Sequence, residues 1–168
     1  MPKRFAPSPG PVLPSFAAQT ADEEFAGLPI LDPKILKTLE EELSPNAVRN
    51  FLRLFLSDAA ARLEEIKTVA AFERMDEVAS LAHDLVSTAG NIGALQMSSG
   101  ARALARACRN EDKPRARLYL DSLALATYAA CLEVQRWLNA AAESSDYQGL
   151  ERRRVAQQVA KDRRRKNS

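Results

Sequence analysis

The chain has little of what most metal-binding, disulfide-stapled or membrane proteins need. It carries one histidine and two cysteines, Cys108 and Cys131, in 168 residues. With no CxxC pair and a lone imidazole, a zinc site is excluded, and so is a disulfide scaffold of the small secreted kind. No apolar run reaches the length of a signal peptide or a membrane span. The expectation is therefore a reduced, cytoplasmic protein without a membrane partner. Aromatic residues make up only 6%, and no stretch alternates strictly enough to make a strand. Glycine-rich phosphate loops are absent, which argues against a nucleotide-driven kinase.

Proline is confined. Six of the nine prolines fall within residues 1–29, together with Gly10 and Gly27, so residues 1–28 read as a disordered, Pro-rich tail. The other three stand at helix starts. Asp32-Pro33 and Ser44-Pro45 each pair an N-cap acceptor with proline at the first helical position, and Pro114 follows the break at Glu111-Asp112. The remaining residues are rich in Ala and Leu, with 46% hydrophobic and 27% charged overall, enough to build a packed helical core.

Apolar spacing predicts five helices. A short one over about 33–43 carries Ile35, Leu36 and Leu39, and a long one over 45–70 carries Val48, Leu52, Phe55, Ala59, Leu63 and Ile66. A third over 74–92 presents Val78, Leu85 and Ala89, a fourth over 95–109 presents Met97, Ala101, Leu104 and Cys108, and a fifth spans 114–142. Each is apolar on one side only. Short connections make successive helices antiparallel, so the expected fold is all-α: an up-and-down four-helix bundle over 29–142 with an additional short N-terminal helix as a lid. Residues 143–168 form a basic C-terminal tail, since 150–168 hold eight Lys or Arg against Glu151 and Asp162. A solvated, frayed helix end is the expected state of this tail. Nucleic acid is not an expected partner and could be reached only through 150–168, where no aromatic is available for base stacking.

His83 is the one residue with a distinctive chemical capacity. On a helical wheel it lies about 140° from the apolar stripe of the third helix, with the compact Ala79, Val86, Ser87 and Gly90 as neighbours. An imidazole standing above small side chains is open to another protein. Gly90 costs roughly 1 kcal/mol in a helix interior, and close approach of a partner backbone would explain it. Arg102, Arg106 and Arg109 recur along one face of the fourth helix, a basic strip that packing beside the third helix would bring near His83. Cys108 and Cys131 sit in the apolar stripes as inert core thiols.

The run His83-Asp-Leu-Val-Ser-Thr-Ala-Gly-Asn-Ile-Gly93 resembles the phosphorylation motif of histidine-containing phosphotransfer (HPt) domains. His83, Leu85, Ala89 and Gly93 match the family pattern, and Phe51-Leu-Arg-Leu-Phe-Leu-Ser-Asp58 resembles its second helix. Two positions depart: Val86 stands where the family has lysine, and Ser87 where it has glycine. The resemblance implies a stoichiometric phosphocarrier, not an enzyme, with His83 phosphorylated and Ala79, Val86, Ser87 and Gly90 forming the docking surface. Arg102, Arg106 and Arg109 would give electrostatic support in place of the missing lysine. The implied partners are receiver domains of response regulators or hybrid kinases. The receiver would bring the aspartate and Mg²⁺, and this chain would hold no metal or cofactor of its own. A monomer is expected. The alternative is a non-phosphorylated helical-bundle adaptor that binds the same class of partner without chemistry.

Overall fold

The computed structural model describes Phe25 and residues 27–166, with side chains placed as far as residue 142 and again over 152–157. Five helices follow one another: α1 (Pro33–Glu42), α2 (Pro45–Ala71), α3 (Met75–Asn91), α4 (Leu95–Arg109) and α5 (Lys113–Lys166). No strand occurs among the described residues. The starts of α1 and α2 are those the Asp-Pro and Ser-Pro pairs predict. Asp32 Oδ1 accepts the Lys34 N–H at 2.9 Å, and Ser44 Oγ accepts the Ala47 N–H at 3.2 Å, each with proline in the first turn.

Three-residue turns join α2 to α3, α3 to α4 and α4 to α5, and all three are built alike. The middle residue is left-handed in each: Glu73 (φ 55°), Gly93 (φ 79°) and Glu111 (φ 55°). The following N–H then reaches back to a carbonyl five residues earlier, Arg74 to Val69, Ala94 to Ala89 and Asp112 to Ala107. This is the Schellman closure, which satisfies carbonyls that the helix end leaves open. Only Gly93 is also sterically required. A Cβ there would come within 3.1 Å of the Cβ atoms of Asp32 and Ile35, because the start of α1 lies on this turn and Asp32 N–H donates to the Gly93 carbonyl at 2.8 Å.

The turns are too short for anything but antiparallel neighbours, and α2, α3, α4 and α5 close into a ring in that order, with α3 diagonal to α5. The expected four-helix bundle with a leading short helix is thus the observed fold. Leu52, Phe55, Ile66, Val78, Leu85, Ile92, Met97, Leu104, Leu123 and Val134 fill its core. Helix α4 is buried around most of its girth, through Met97, Ser98, Gly100, Ala101, Ala103, Leu104, Ala105, Ala107 and Cys108. Its small residues let neighbours come close: the Cβ position of Gly100 lies 3.7 Å from the Leu123 backbone of α5.

The N-terminal end differs from expectation, and the C-terminal tail is helical and continuous with the bundle. Residues 1–24 of the expected tail lie outside the described residues, but its last part packs on the bundle. Phe25 is buried against Ala103 and Tyr119, with ring centroids 6.2 Å apart. Gln96 then pins the strap that follows, its side chain donating to the Leu28 carbonyl at 2.7 Å and its N–H to the Pro29 carbonyl. The hydrophobic Phe25 and the hydrogen bonds of Gln96 outweigh the local proline content. At the other end α5 does not stop near 142 but runs 54 residues to Lys166, about 80 Å at 1.5 Å per residue. Residues 143–166 contain no proline and one glycine, Gly149, among Ala, Arg, Glu, Gln and Leu, so intrinsic propensity carries the helix on. Arg152 to Gln157 are all exposed.

Candidate functional site

His83 lies in the middle of α3 with its side chain exposed. The buried residues of α3 are Val78, Ala79, Ala82, Leu85 and Ala89, a broader set than the predicted stripe. Adding Ala79 turns the centre of the buried arc toward α4. One edge of the predicted docking surface therefore closes: Ala79 is 4% exposed and belongs to the core. Val86 is half-buried and packs against the same core.

Ser98 of α4 explains the closure. Its hydroxyl, itself buried, donates to the Val86 carbonyl at 2.9 Å, and its Oγ lies 3.7 Å from where a Cβ on Gly90 would stand. Within the chain, the close neighbour of Gly90 is Ser98 of α4. Ser87 is exposed as expected. The open surroundings of His83 consist of Ser80, Ser87, Asp76 and Asp84, all exposed on α3. Ser80 shares this face by helical register, three residues before His83, while Asp84, one residue on, points about 100° away; the predicted surface omitted both.

The three arginines are exposed on α4 and spread along its length. The Ser98–Val86 hydrogen bond sets the antiparallel register. One turn on from Ser98, Arg102 stands level with His83; Arg106 stands level with Ala79. Arg109 lies at the far end, lining a recess of ≈520 Å³ with Glu73, Arg74, Asp76, Glu77, Glu111 and Lys113. Only Arg102 is brought to the height of the imidazole.

The side toward α2 is different in kind. Phe51, Leu54, Phe55 and Asp58 of α2 and Thr88, Asn91 and Ile92 of α3 line a shallow cavity of ≈140 Å³. Leu54 stands at its rim, 65% exposed. Beyond it, Arg62 donates to Asp58 at 2.7 Å. That hydrogen bond, with the charge of Asp84 adding to it, holds the guanidinium even more firmly protonated. Sequence reasoning missed this groove, although a leucine on the outer face of α2 was the available signal.

Among the described residues no cluster of three or more His, Cys, Asp or Glu side chains could hold an ion, and no helix is long and apolar enough to cross a membrane. Cys108 is buried and Cys131 half-buried, both unpaired, and burial pushes both thiols up from their ordinary pKa.

Residues 50–144 match the family model of the Hpt domain. Among solved structures, histidine-containing phosphotransfer protein B (HptB) from Pseudomonas aeruginosa PAO1 superposes with a TM-score of 0.64 at 18% identity, covering 67% of this chain and 96% of that one. A putative histidine-containing phosphotransfer protein from rice gives 0.61 at 19% identity, with coverage of 76% and 97%. At such identities these likenesses concern the fold. No curated protein matches.

Proposed function

Because the chain belongs to the Hpt domain family, we propose that His83 relays a phosphoryl group between receiver-domain aspartates in a multistep phosphorelay. The observation that carries this reading is the placement of the only imidazole in the chain. It is exposed at mid-helix, at the position of the family's histidine, with the short Ser80 and Ser87 beside it. In the forward step a neutral ring nitrogen donates its lone pair to the phosphorus of an aspartyl phosphate. The N–P bond forms, the aspartyl O–P bond breaks, and the carboxylate leaves with its electron pair. The return step to a second receiver reverses this. Transfer of this kind depends on position and charge more than on covalent assistance from the carrier. Mg²⁺ and the acceptor aspartate would come with the receiver, and this chain would supply neither metal nor kinase activity. A cytoplasmic site of action fits two unpaired cysteines.

The docking surface that fits this chemistry is Ser80, Ser87 and Asp84 around the histidine, extended by the apolar groove at Leu54 and Phe51. Arg102 is the cation best placed to face a phosphoryl group on His83 without crowding it. The test is to incubate the purified protein with acyl-phosphorylated receivers. Acid-labile, base-stable phosphate is expected on wild type and none on His83→Gln. Absence of label on wild type, despite measurable binding, would refute the relay.

One observation favours a second reading, an adaptor without phosphotransfer. Val86 replaces the family's lysine and is packed against the core, so no cation rises from α3 itself one turn beyond His83. An adaptor would bind its partner equally well as wild type and as His83→Gln and would leave the partner's phosphate untouched.

A further inference from the structure

The outward face of α5 carries a largely apolar stripe, interrupted by the exposed Asp121, that the bundle leaves open. Leu118, Leu125, Tyr128 and Leu132 are 41%, 63%, 67% and 41% exposed. They recur at heptad spacing, 118, 125 and 132 with Tyr128 between, and run along about 21 Å of helix. Their direction is opposite to the buried residues Leu123, Thr127, Ala130 and Val134. Together they expose of order 400 Å² of mainly apolar surface, within the range at which a patch on a soluble monomer has a partner.

We propose that this stripe is the interface of a homodimer in which two copies of α5 pair antiparallel about a two-fold axis at Leu125. The pattern is self-complementary under that operation. Leu118 and Leu132 each lie seven residues from Leu125, so Leu118 faces the partner's Leu132 while Leu125 faces the partner's Leu125. Beside the centre stands Ala129, half-buried, whose small side chain permits close approach of the helices.

Charge supports the same arrangement. Arg115 and Glu133 are eighteen residues apart, five full turns, and so share one flank of the stripe. Antiparallel pairing brings like flanks together. Arg115 then comes within two residues' rise of the partner's Glu133, twice per dimer, and their present partners, Asp112 and Arg136, are local and exposed. A parallel pair would instead lay the two 150–166 segments side by side, each with eight basic residues against two acidic. The antiparallel pair sends them to opposite ends. Two such patches with their charged flanks reach roughly 1,000 Å², the size of a weak, reversible interface. Since α3 is diagonal to α5, both His83 faces stay open in the dimer.

Sedimentation of the full-length chain between roughly 1 and 500 µM tests this. Wild type is expected to rise from the monomer mass of 18.5 kDa toward twice that value. Leu125→Asp places two carboxylates across the axis and is expected to weaken association at least about tenfold. Its helical circular-dichroism signal should be unchanged, because Leu125 is solvent-facing. Arg115→Glu and Glu133→Arg should each stay monomeric alone, and a one-to-one mixture should dimerise, since both contacts become opposite in sign again. A wild type that remains at monomer mass throughout, or single variants that associate as well as the parent, would overturn the proposal.

Discussion

The two sides of His83 are built on opposite principles. Toward α4, small residues bring two helices into close contact: Ala79, Gly90, Ser98 and Ala101 leave no room for a partner, and Ser98 ties the helices with a hydrogen bond to the Val86 carbonyl. Toward α2, large residues hold the helices further apart, and Phe51, Leu54 and Phe55 line a groove open to solvent. The contrast separates two uses of compactness. Small side chains on the α4 side serve packing and position the histidine. On the open face, Ser80 and Ser87 leave access to it, and the α2 groove offers apolar surface to a transient partner.

The largest effect is expected from breaking the tight side. Ser98→Leu would overpack the α3–α4 seam and remove a buried hydrogen bond, destabilising the fold by about 2–3 kcal/mol. Urea unfolding would read this as a lowered midpoint, and an unchanged midpoint would mean that the seam is loose. On the open side, Leu54→Glu should leave the unfolding midpoint within error, because the side chain is solvent-facing. Phosphotransfer from a receiver should slow about tenfold, equivalent to roughly 1.4 kcal/mol of docking. Equal rates for the two proteins would remove the groove from the docking surface.

Gly90→Ala sharpens the comparison from the other direction. A Cβ there meets Ser98 Oγ at 3.7 Å, an ordinary contact, so the substitution should stabilise the helix by about 0.5–1 kcal/mol and leave transfer unchanged. A loss of transfer would return Gly90 to the partner interface. The smallest effect belongs to the far end, where Lys113 hydrogen-bonds Glu73 at 2.8 Å and lowers its pKa. A carboxylate held below its unfolded value stabilises the fold above the ordinary glutamate range and loses that contribution as pH falls through the lowered value. Lys113→Met should therefore unfold slightly more easily than wild type at neutral pH, and the two midpoints should converge in acid.

Helix order, both Pro-capped starts and the position of His83 were legible because they rest on local signals: periodicity, N-cap chemistry and one unusual residue type. The break at Glu111 was legible from Asp112 and Pro114, while Glu73, left-handed in the same role, carries no such mark in composition. The docking surface was read only in part. A helical wheel assigns one buried face per helix, but α3 packs against both α2 and α4, and the second contact buried Ala79 and occupied the space at Gly90. The groove at Leu54 needed the separation of two helices to be known. Phe25 was hidden by the prolines around it, and while a helical tail was legible, its continuity with the last bundle helix was not.

Because His83 is the only histidine, its imidazole gives a single set of ring ¹⁵N signals, and phosphorylation can be read at that residue without assignment ambiguity. Recording these signals during exposure to an acyl-phosphorylated receiver with Mg²⁺ tests the central claim most directly. The expected result is a shift of one ring nitrogen with coupling to phosphorus, reversed when a second, unphosphorylated receiver is added. Ring signals that stay unchanged while the receiver binds and keeps its phosphate would contradict the relay.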